Sequence, residues 1–336
     1  MMKAVLMTAP GAVDVLEFTD VPVPTLTDAH QMLVRVFAAG VNPVDTKVRK
    51  SHFYYPENLP AILGCDGAGT VEALGSAVTR FRPGDDVYFF NNGLGGAPGS
   101  YAQYTVVDEA HAARKPARLS MVEAAAIPLA LITAWEALVD RSALQRDEYV
   151  LVHGGAGGVG HLAVQLAHHR GARVAATVSN NDKGRFVREL GAERTIDYRK
   201  QDFVDAVLEW TNGHGADVIL DTVGGATFCR SFRALRLYGR ITTLLSTACE
   251  LADVNEARLR NVRVGYVQMT APSFLGDADA RVAQARILEN AAALFDDGTL
   301  KVAVTDVLPL ARASDAHRLV EEGHTLGKVV LEIDRP

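Results

Sequence analysis

Glycines fill five of the seven positions from Gly154 to Gly160, inside VLVHGGAGGVGHLAVQLA, and here the residue types first suggest chemistry. Each glycine costs conformational entropy in an ordinary helix or strand. A cluster of them marks backbone that turns sharply or lies close against something. Gly155-Ala156-Gly157-Gly158-Val159-Gly160 sits between an apolar run that reads as a strand and a pattern that reads as a helix. In that setting the backbone can approach a pyrophosphate, and the free N–H groups and partial positive charge of the helix start favour the anion. The G-x-G-x-x-G spacing is not kept: counted from Gly155, the glycines fall at +2, +3 and +5. By itself the loop also suits a ligand-free turn, so its meaning rests on the elements around it.

A second chemical signal lies at the end of the next β-type run. A site for NAD places Asp or Glu there, about 20 residues after the first glycine, to bind the ribose 2′-hydroxyl. This chain reads Ala176-Thr177-Val178-Ser179-Asn180, with no carboxylate to repel a phosphate. Asp182 follows at an expected helix start, where it reads as a cap, and Lys183 comes next. The pattern favours NADP(H).

The elements that would position these residues are legible as alternation. Residues 148–268 carry the β-type runs YVLVH, RVAATV, RTID, ADVILDTV, GRITTLL and VRVGYVQM. Between the first five lie the helical patterns VGHLAVQLAHHR, DKGRFVREL, DFVDAVLEW and TFCRSFRAL. This predicts an α/β domain with a doubly wound sheet of six parallel strands. Residues before about 120 read instead as short strands joined by Gly and Pro-Gly-Asp turns. MVEAAAIPLALITAWEAL is a helical pattern interrupted by Pro128. Beyond 270 follow a long helix (ADARVAQARILENAAALFDDG), a short one (SDAHRLVEE) and a strand (GKVVLEID). That tail is too small to bury its own core and is expected to pack back on the first domain.

Composition narrows the function classes. The chain has 336 residues, enough for two domains, with 48% hydrophobic and 22% charged residues, as in a globular protein. A net charge of −6 without basic runs argues against nucleic acid as a partner. No window of about 18 residues is apolar enough for a transmembrane helix, and the amino-terminal stretch does not read as a signal peptide. Cys65, Cys229 and Cys249, odd in number and far apart, predict a reducing, cytoplasmic setting and no disulfide framework.

DEYVLVHGGAGGVGHLAVQLAH resembles the signature of the zinc-independent quinone oxidoreductase and ζ-crystallin group of the medium-chain dehydrogenase/reductase superfamily. Leu151, Gly155-Ala156, Gly157-Gly158, Gly160 and Gln165 match, while His168 departs from the group's usual Lys, Arg or Ser. AAGVNPVDTKVRK is similar to its substrate-side motif. GCDGAGTVEALGSAVTRFRPGDDVY resembles its GroES-like β-domain and GKVVLEI its closing strand. The resemblance implies a GroES-like catalytic domain made of residues 1–123 and 271–336, with a Rossmann NADP-binding domain at 124–270.

The same resemblance implies the site residues. Cofactor-binding candidates are Thr133, Gly155, Ala156, Gly157, Gly158, Val159, Ser179, Asn180, Lys183, Tyr198, Thr222 and Lys328. Lys183 and Tyr198 match the 2′-phosphate ligands. Thr133 contacts the nicotinamide ribose or is a helix-internal threonine, and Lys328 caps the cleft or pairs on the surface. Catalytic candidates are Asn42, Asp45 and Tyr54. Asn42 suits a hydrogen bond to an acceptor carbonyl, and, before Pro43, it equally suits an N-cap. Tyr54 and Tyr55 serve as an aromatic wall or as a proton donor. Where the zinc alcohol dehydrogenases carry Cys, His and Cys, this chain has Asn42, Cys65 and Pro128, and residues 91–104 contain no cysteine for a structural zinc lobe. Three protein ligands are needed for catalytic zinc, so no metal is expected and Cys65 reads as a small buried hydrophobe.

The implied activity is NADPH-dependent hydride transfer to a quinone or similar electron-poor carbonyl. Alternatives are reduction of 2-alkenal or enone double bonds, a zinc alcohol dehydrogenase-like protein, and a non-catalytic NADPH-binding protein. VRVGYVQM, as an apolar edge strand, predicts a homodimer or dimer-based oligomer.

Overall fold

The computed structural model describes residues 1–51, 54–55, 57–91, 93–246 and 248–334. It divides into two units, Met1–Leu129 with Thr270–Pro336 and Ala130–Met269. The first unit begins with β1 (Met2–Met7), β2 (Leu16–Val21), β3 (Gln31–Val41) and α1 (Pro43–Ser51). It continues through β4 (Ala61–Ile62), β5 (Asp66–Leu74), β6 (Asp86–Phe90), β7 (Tyr104–Asp108), β8 (Ala112–Arg114) and α2 (Met121–Ala125). Helix α3 (Pro128–Trp135) leads into β9 (Tyr149–Val152), α4 (Gly160–His169), β10 (Arg173–Val178), α5 (Asn181–Glu189) and β11 (Arg194–Asp197). Next come α6 (Phe203–Trp210), β12 (Ala216–Asp221), α7 (Gly225–Ser231), β13 (Leu235–Thr243), α8 (Leu251–Leu259) and β14 (Arg263–Tyr266). The chain then returns to the first unit with α9 (Ala271–Leu275), α10 (Ala278–Asp296), β15 (Val304–Pro309), α11 (Ala313–Glu322) and β16 (Lys328–Glu332). The first break falls after Leu129, whereas the expected boundary at 123/124 would cut α2, which packs on β3 and β5.

In the first unit a seven-stranded sheet runs β15-β16-β3-β5-β6-β8, with β7 also on β3, and β2-β1-β4 form a smaller antiparallel sheet. Strand β3 alternates: Met32, Val34 and Val36 are buried while their neighbours are partly exposed, the period-two signature of a half-buried strand. Two pairings matter for chemistry. Val41 faces Val329 of β16, which sets Lys328 beside Asn42, and Gly40 faces Asp66 of β5. A Cβ on Gly40 would lie 2.4 Å from the Ala125 carbonyl oxygen and 3.0 Å from the Asp66 Cβ. Only glycine lets the Asp66 side chain and α2 share that space.

In the second unit six parallel strands run β11-β10-β9-β12-β13-β14, the doubly wound order 3-2-1-4-5-6. Leu151, Ala175, Ile219 and Ile241 of the central strands are fully buried against Phe203, Phe228 and Phe232. Every expected strand is present. Helix α8 was not expected: it buries none of its residues, so it shows no apolar stripe. The cysteine expectation needs correction as well. Cys229 of α7 and Cys249, twenty residues on, are disulfide-bonded, because the loop after β13 folds back over α7. Only Cys65 is a free thiol. Among the described residues no helix is long and apolar enough to cross a membrane.

Candidate functional site

In the second unit the glycine loop lies at the carboxyl ends of the parallel strands. Gly154 leaves β9 with φ +66°, a left-handed conformation that glycine adopts without strain. Its N–H donates to Thr177 Oγ1 at 3.0 Å, and Thr222 Oγ1 donates to the His153 carbonyl at 2.8 Å. His153 is buried and held neutral, its pKa pushed down to about 4 by burial, and its ring bridges Thr177 Oγ1 and Ser231 Oγ. These contacts fix the base of the loop on β10, β12 and α7. A Cβ at Gly160 would lie 2.2 Å from the Gly154 carbonyl oxygen, so the loop folds directly onto the start of α4. Gly155, Ala156, Gly157, Gly158 and Val159 thus form a backbone cradle before the N-terminus of α4, which no side chain caps; the Gly155, Gly157 and His161 N–H groups already donate to the Thr177, Gly154 and Gly157 carbonyls. Thr133 is buried on α3.

The corner expected to take a 2′-phosphate is assembled by strand register. Val178 of β10 faces Asp197 of β11, and the Tyr198 N–H donates to the Val178 carbonyl at 3.2 Å. Ser179 and Asn180 leave one strand beside Tyr198 leaving the other. Asn180 caps α5, its side chain accepting from Lys183 N–H at 2.9 Å. Asp182, expected as the cap, sits within the first turn and pairs with Arg185 instead. Burial and the like charge of Arg199 hold the Lys183 ammonium pKa down. Lys183 and Arg199 are thus close enough to repel one another. Arg199 was missed in the sequence, although it directly follows Tyr198.

In the first unit Asn42, Asp45 and Lys328 converge as one buried cluster with Asp66. Asn42 does not cap α1 with its side chain. Its Nδ2 donates to Asp66 Oδ2 at 2.9 Å and its Oδ1 accepts from Lys328 Nζ. Because an ammonium can only donate and a carboxylate only accept, the amide orientation is unambiguous. Lys328, expected to cap a cleft or pair on the surface, is only 4% exposed and lies 3.6 Å from Asp66 Oδ2. Asp66 Oδ1 also accepts from Leu129 N–H at 2.8 Å. Asp45 Oδ2 accepts from the Asn42 backbone N–H at 2.8 Å. Burial raises the pKa of both carboxyls, that of Asp45 to about 7. Cys65 is not a purely apolar filler: its thiol donates to Asp45 Oδ1 at 3.5 Å. Tyr101 and His317, which the sequence did not single out, extend the cluster on its far side.

The Tyr54 hydroxyl bonds Thr270 Oγ1 at 2.8 Å, and its ring lies 4.9 Å from that of Phe274 on α9. Tyr55 meets the same ring edge-on at 6.0 Å and packs over Gly96. The two tyrosines make an aromatic wall with Phe274. The loops 51–60 and 91–100 also contain residues 52, 53, 56 and 92, which lie outside the described residues.

A GroES-like β unit bearing a buried polar cluster, together with a doubly wound unit bearing a nucleotide cradle, defines a pyridine-nucleotide oxidoreductase of the medium-chain class. Two family models match, an alcohol dehydrogenase GroES-like domain over residues 28–117 and a zinc-binding dehydrogenase domain over 190–331. The chain is 32% identical to a quinone oxidoreductase of Pseudomonas aeruginosa over 98% of its own length and 99% of the relative's. It is also 32% identical to the chloroplastic NADPH-dependent alkenal/one oxidoreductase of Arabidopsis thaliana, over 98% of this chain and 79% of that one. The Escherichia coli quinone oxidoreductase solved with NADPH superposes with a TM-score of 0.85 at 29% identity, covering 98% of this chain and 99% of that chain. The chain belongs to the quinone oxidoreductase group of the medium-chain dehydrogenase/reductase superfamily.

The zinc in the second family description does not fit this cluster. Among the described residues no group of three or more His, Cys, Asp and Glu is placed to hold a metal ion. Asn42 offers an amide where a thiolate would be needed, and burial keeps the Cys65 thiol protonated. Lys328 already supplies a positive charge beside Asn42 and Asp66.

Proposed function

We propose that this chain is an NADPH-dependent reductase that works without zinc and passes hydride to a quinone or to an enal or enone. NADPH supplies the hydride when bound. The glycine cradle and the start of α4 bind its pyrophosphate, and Lys183, Arg199, Ser179, Asn180 and Tyr198 bind its 2′-phosphate. The observation that carries the acceptor reading is the locked amide of Asn42. Its carbonyl is engaged by Lys328 and one Nδ2 hydrogen by Asp66, so the second Nδ2 hydrogen is the donor it can offer an acceptor oxygen. That oxygen gains negative charge as the carbon accepts hydride, and a preorganised donor stabilises it. The Tyr54–Phe274 wall suits a flat conjugated acceptor, and solvent completes protonation.

A screen of NADPH oxidation against quinones, enals, enones and saturated aldehydes tests this. Turnover on quinones or on conjugated carbonyls is expected, with loss of single-turnover rate in Asn42→Ala. Stoichiometric NADPH binding without turnover on any of them would favour a purely binding role.

A dimer through β14 belongs to the same proposal. Tyr266 is 61% exposed on that edge, and Leu259 at the end of α8 is 75% exposed. Cytoplasmic placement is proposed too. Cys229 and Cys249 would then be kept as a reduced pair in the cell, as cytosolic thiols are.

A further inference from the structure

The buried cluster of the first unit holds more charge than polarising an acceptor requires. Asp45 and Asp66, both fully buried, grip Asn42 at two places, its backbone N–H and its side-chain amide. A single ammonium, Lys328, faces the pair, and it leans to Asp66. Asp66 has that cation, the Asn42 amide and the Leu129 N–H. Asp45 has neutral partners only: the Asn42 N–H, the Cys65 thiol and the Tyr101 hydroxyl, 3.3 Å from its Oδ2. The same hydroxyl lies 3.2 Å from His317 Nε2, and beyond His317 sits Arg49, already paired with Glu321 at 2.6 Å.

We propose that Asp45 carries a proton in the reactive enzyme, that losing it slows hydride transfer, and that Tyr101 and His317 are positioning residues setting where this happens. The inference rests on Asn42 as the donor to the acceptor oxygen. With Asp45 neutral, Asp66 and Lys328 cancel. With Asp45 ionised, the cluster carries a net −1 directly behind Asn42. Hydride moves with its electron pair to the acceptor carbon, NADPH becomes NADP⁺, and the displaced π electrons settle on the acceptor oxygen. A negative charge behind the donor opposes that build-up. The proton on Asp45 is not consumed, because the oxygen is protonated from solvent.

Burial raises Asp45 first and Asp66 pushes the same way, while Lys328 and the hydrogen bonds pull down, which leaves it near neutrality, at about 7. Tyr101 can serve both states. It donates to Asp45 Oδ2 when that group is ionised. When Asp45 is neutral, it turns to His317, which burial and Arg49 hold unprotonated. Removing the hydroxyl strips a donor from the ionised form. Removing His317 leaves Asp45 as the hydroxyl's sole acceptor. The two changes should move the titration in opposite directions.

The test is the single-turnover rate of NADPH oxidation by a neutral quinone, from about pH 5 to about pH 9, in the full-length enzyme. The wild-type rate should fall above about pH 7, reaching a plateau on the order of 10- to 100-fold lower. Asp45→Asn should abolish that fall, Tyr101→Phe should move it to higher pH, and His317→Leu to lower pH. Infrared difference spectra of the wild type alone should show the C=O stretch of a buried protonated carboxyl disappearing over the same range, which keeps the test open if a variant does not fold. A wild-type rate that rises with pH, an unchanged profile in Asp45→Asn, or a carboxylate already ionised at pH 6 would overturn the proposal. Asn42→Ala measured alongside separates the two ideas: an unaltered rate there removes the Asn42 reading, whatever Asp45 does.

Discussion

Replacing Lys328 by methionine should destabilise the first unit by an amount that grows with pH. Lys328 is 4% exposed, and its Nζ lies 3.6 Å from Asp66 Oδ2. At an effective dielectric of about 20, such a pair is worth about 5 kcal/mol. Losing one partner of a buried pair costs roughly 3–5 kcal/mol when the other keeps its charge. Asp66 has an escape, which is to take up a proton. That costs about 1.4 kcal/mol for each pH unit above its unfolded pKa of about 3.9, hence roughly 1.5 kcal/mol at pH 5 and about 4 at pH 7. The direction follows from linkage. Burial already raises the Asp66 pKa, and without Lys328 it rises further. The folded chain then keeps a proton that the unfolded chain has released, so stability falls as pH climbs from about 4. Urea unfolding at both pH values, with hydrogen exchange of the β3 and β5 amides, reads the difference. Adding Asp66→Asn should restore most of the loss at pH 7. An equal loss at both pH values, or none, would refute the assignment of Lys328 as the partner of Asp66.

Lys183→Ala and Arg199→Ala should each weaken NADPH binding on the order of ten- to a hundredfold, since a charge-assisted hydrogen bond is worth roughly 1.5–3 kcal/mol. NADH affinity should barely change; equal losses for the two cofactors would place the phosphate elsewhere. Metal analysis of the purified protein should find far less than one zinc per chain, and turnover should survive chelation, whereas a tightly bound zinc required for activity would contradict the donor set at Asn42 and Cys65. Light scattering at micromolar concentration should give at least a dimer, and Tyr266→Asp should dissociate it; a wild-type monomer would remove the β14 interface.

What the sequence disclosed follows from how local each signal is. The strands Arg173–Val178 and Arg194–Asp197 could be read to the residue, because a doubly covered sheet demands short apolar runs bounded by turns. Helix α8 escaped because it has no buried face to write a stripe into its sequence. Lys328 and Asn42 are 286 positions apart, and nothing in either segment encodes the antiparallel register of β16 on β3 that joins them. The role of Asp66 is equally hidden, since it depends on the missing side chain of Gly40 opposite. The Cys229–Cys249 pairing was illegible for the same reason, because loop direction after β13 is a tertiary choice.

The route of the chain imposes an order on synthesis. Asn42, Asp45 and Asp66 are made before the second unit, whereas the strand bearing Lys328 follows it. At typical elongation rates of 5–20 residues per second, the interval between Asp66 and Lys328 is roughly 10–50 s. For that time the nascent sheet has two acidic side chains destined for its interior and lacks the ammonium that offsets them. β3 also lacks β16 along one edge, which is open to unintended pairing. The nucleotide unit, Ala130–Met269, is contiguous and can fold while the ribosome is still decoding the strand that closes its neighbour. Until β16 is made, the contiguous nucleotide unit accompanies a first unit that still lacks its closing strand and the ammonium of Lys328.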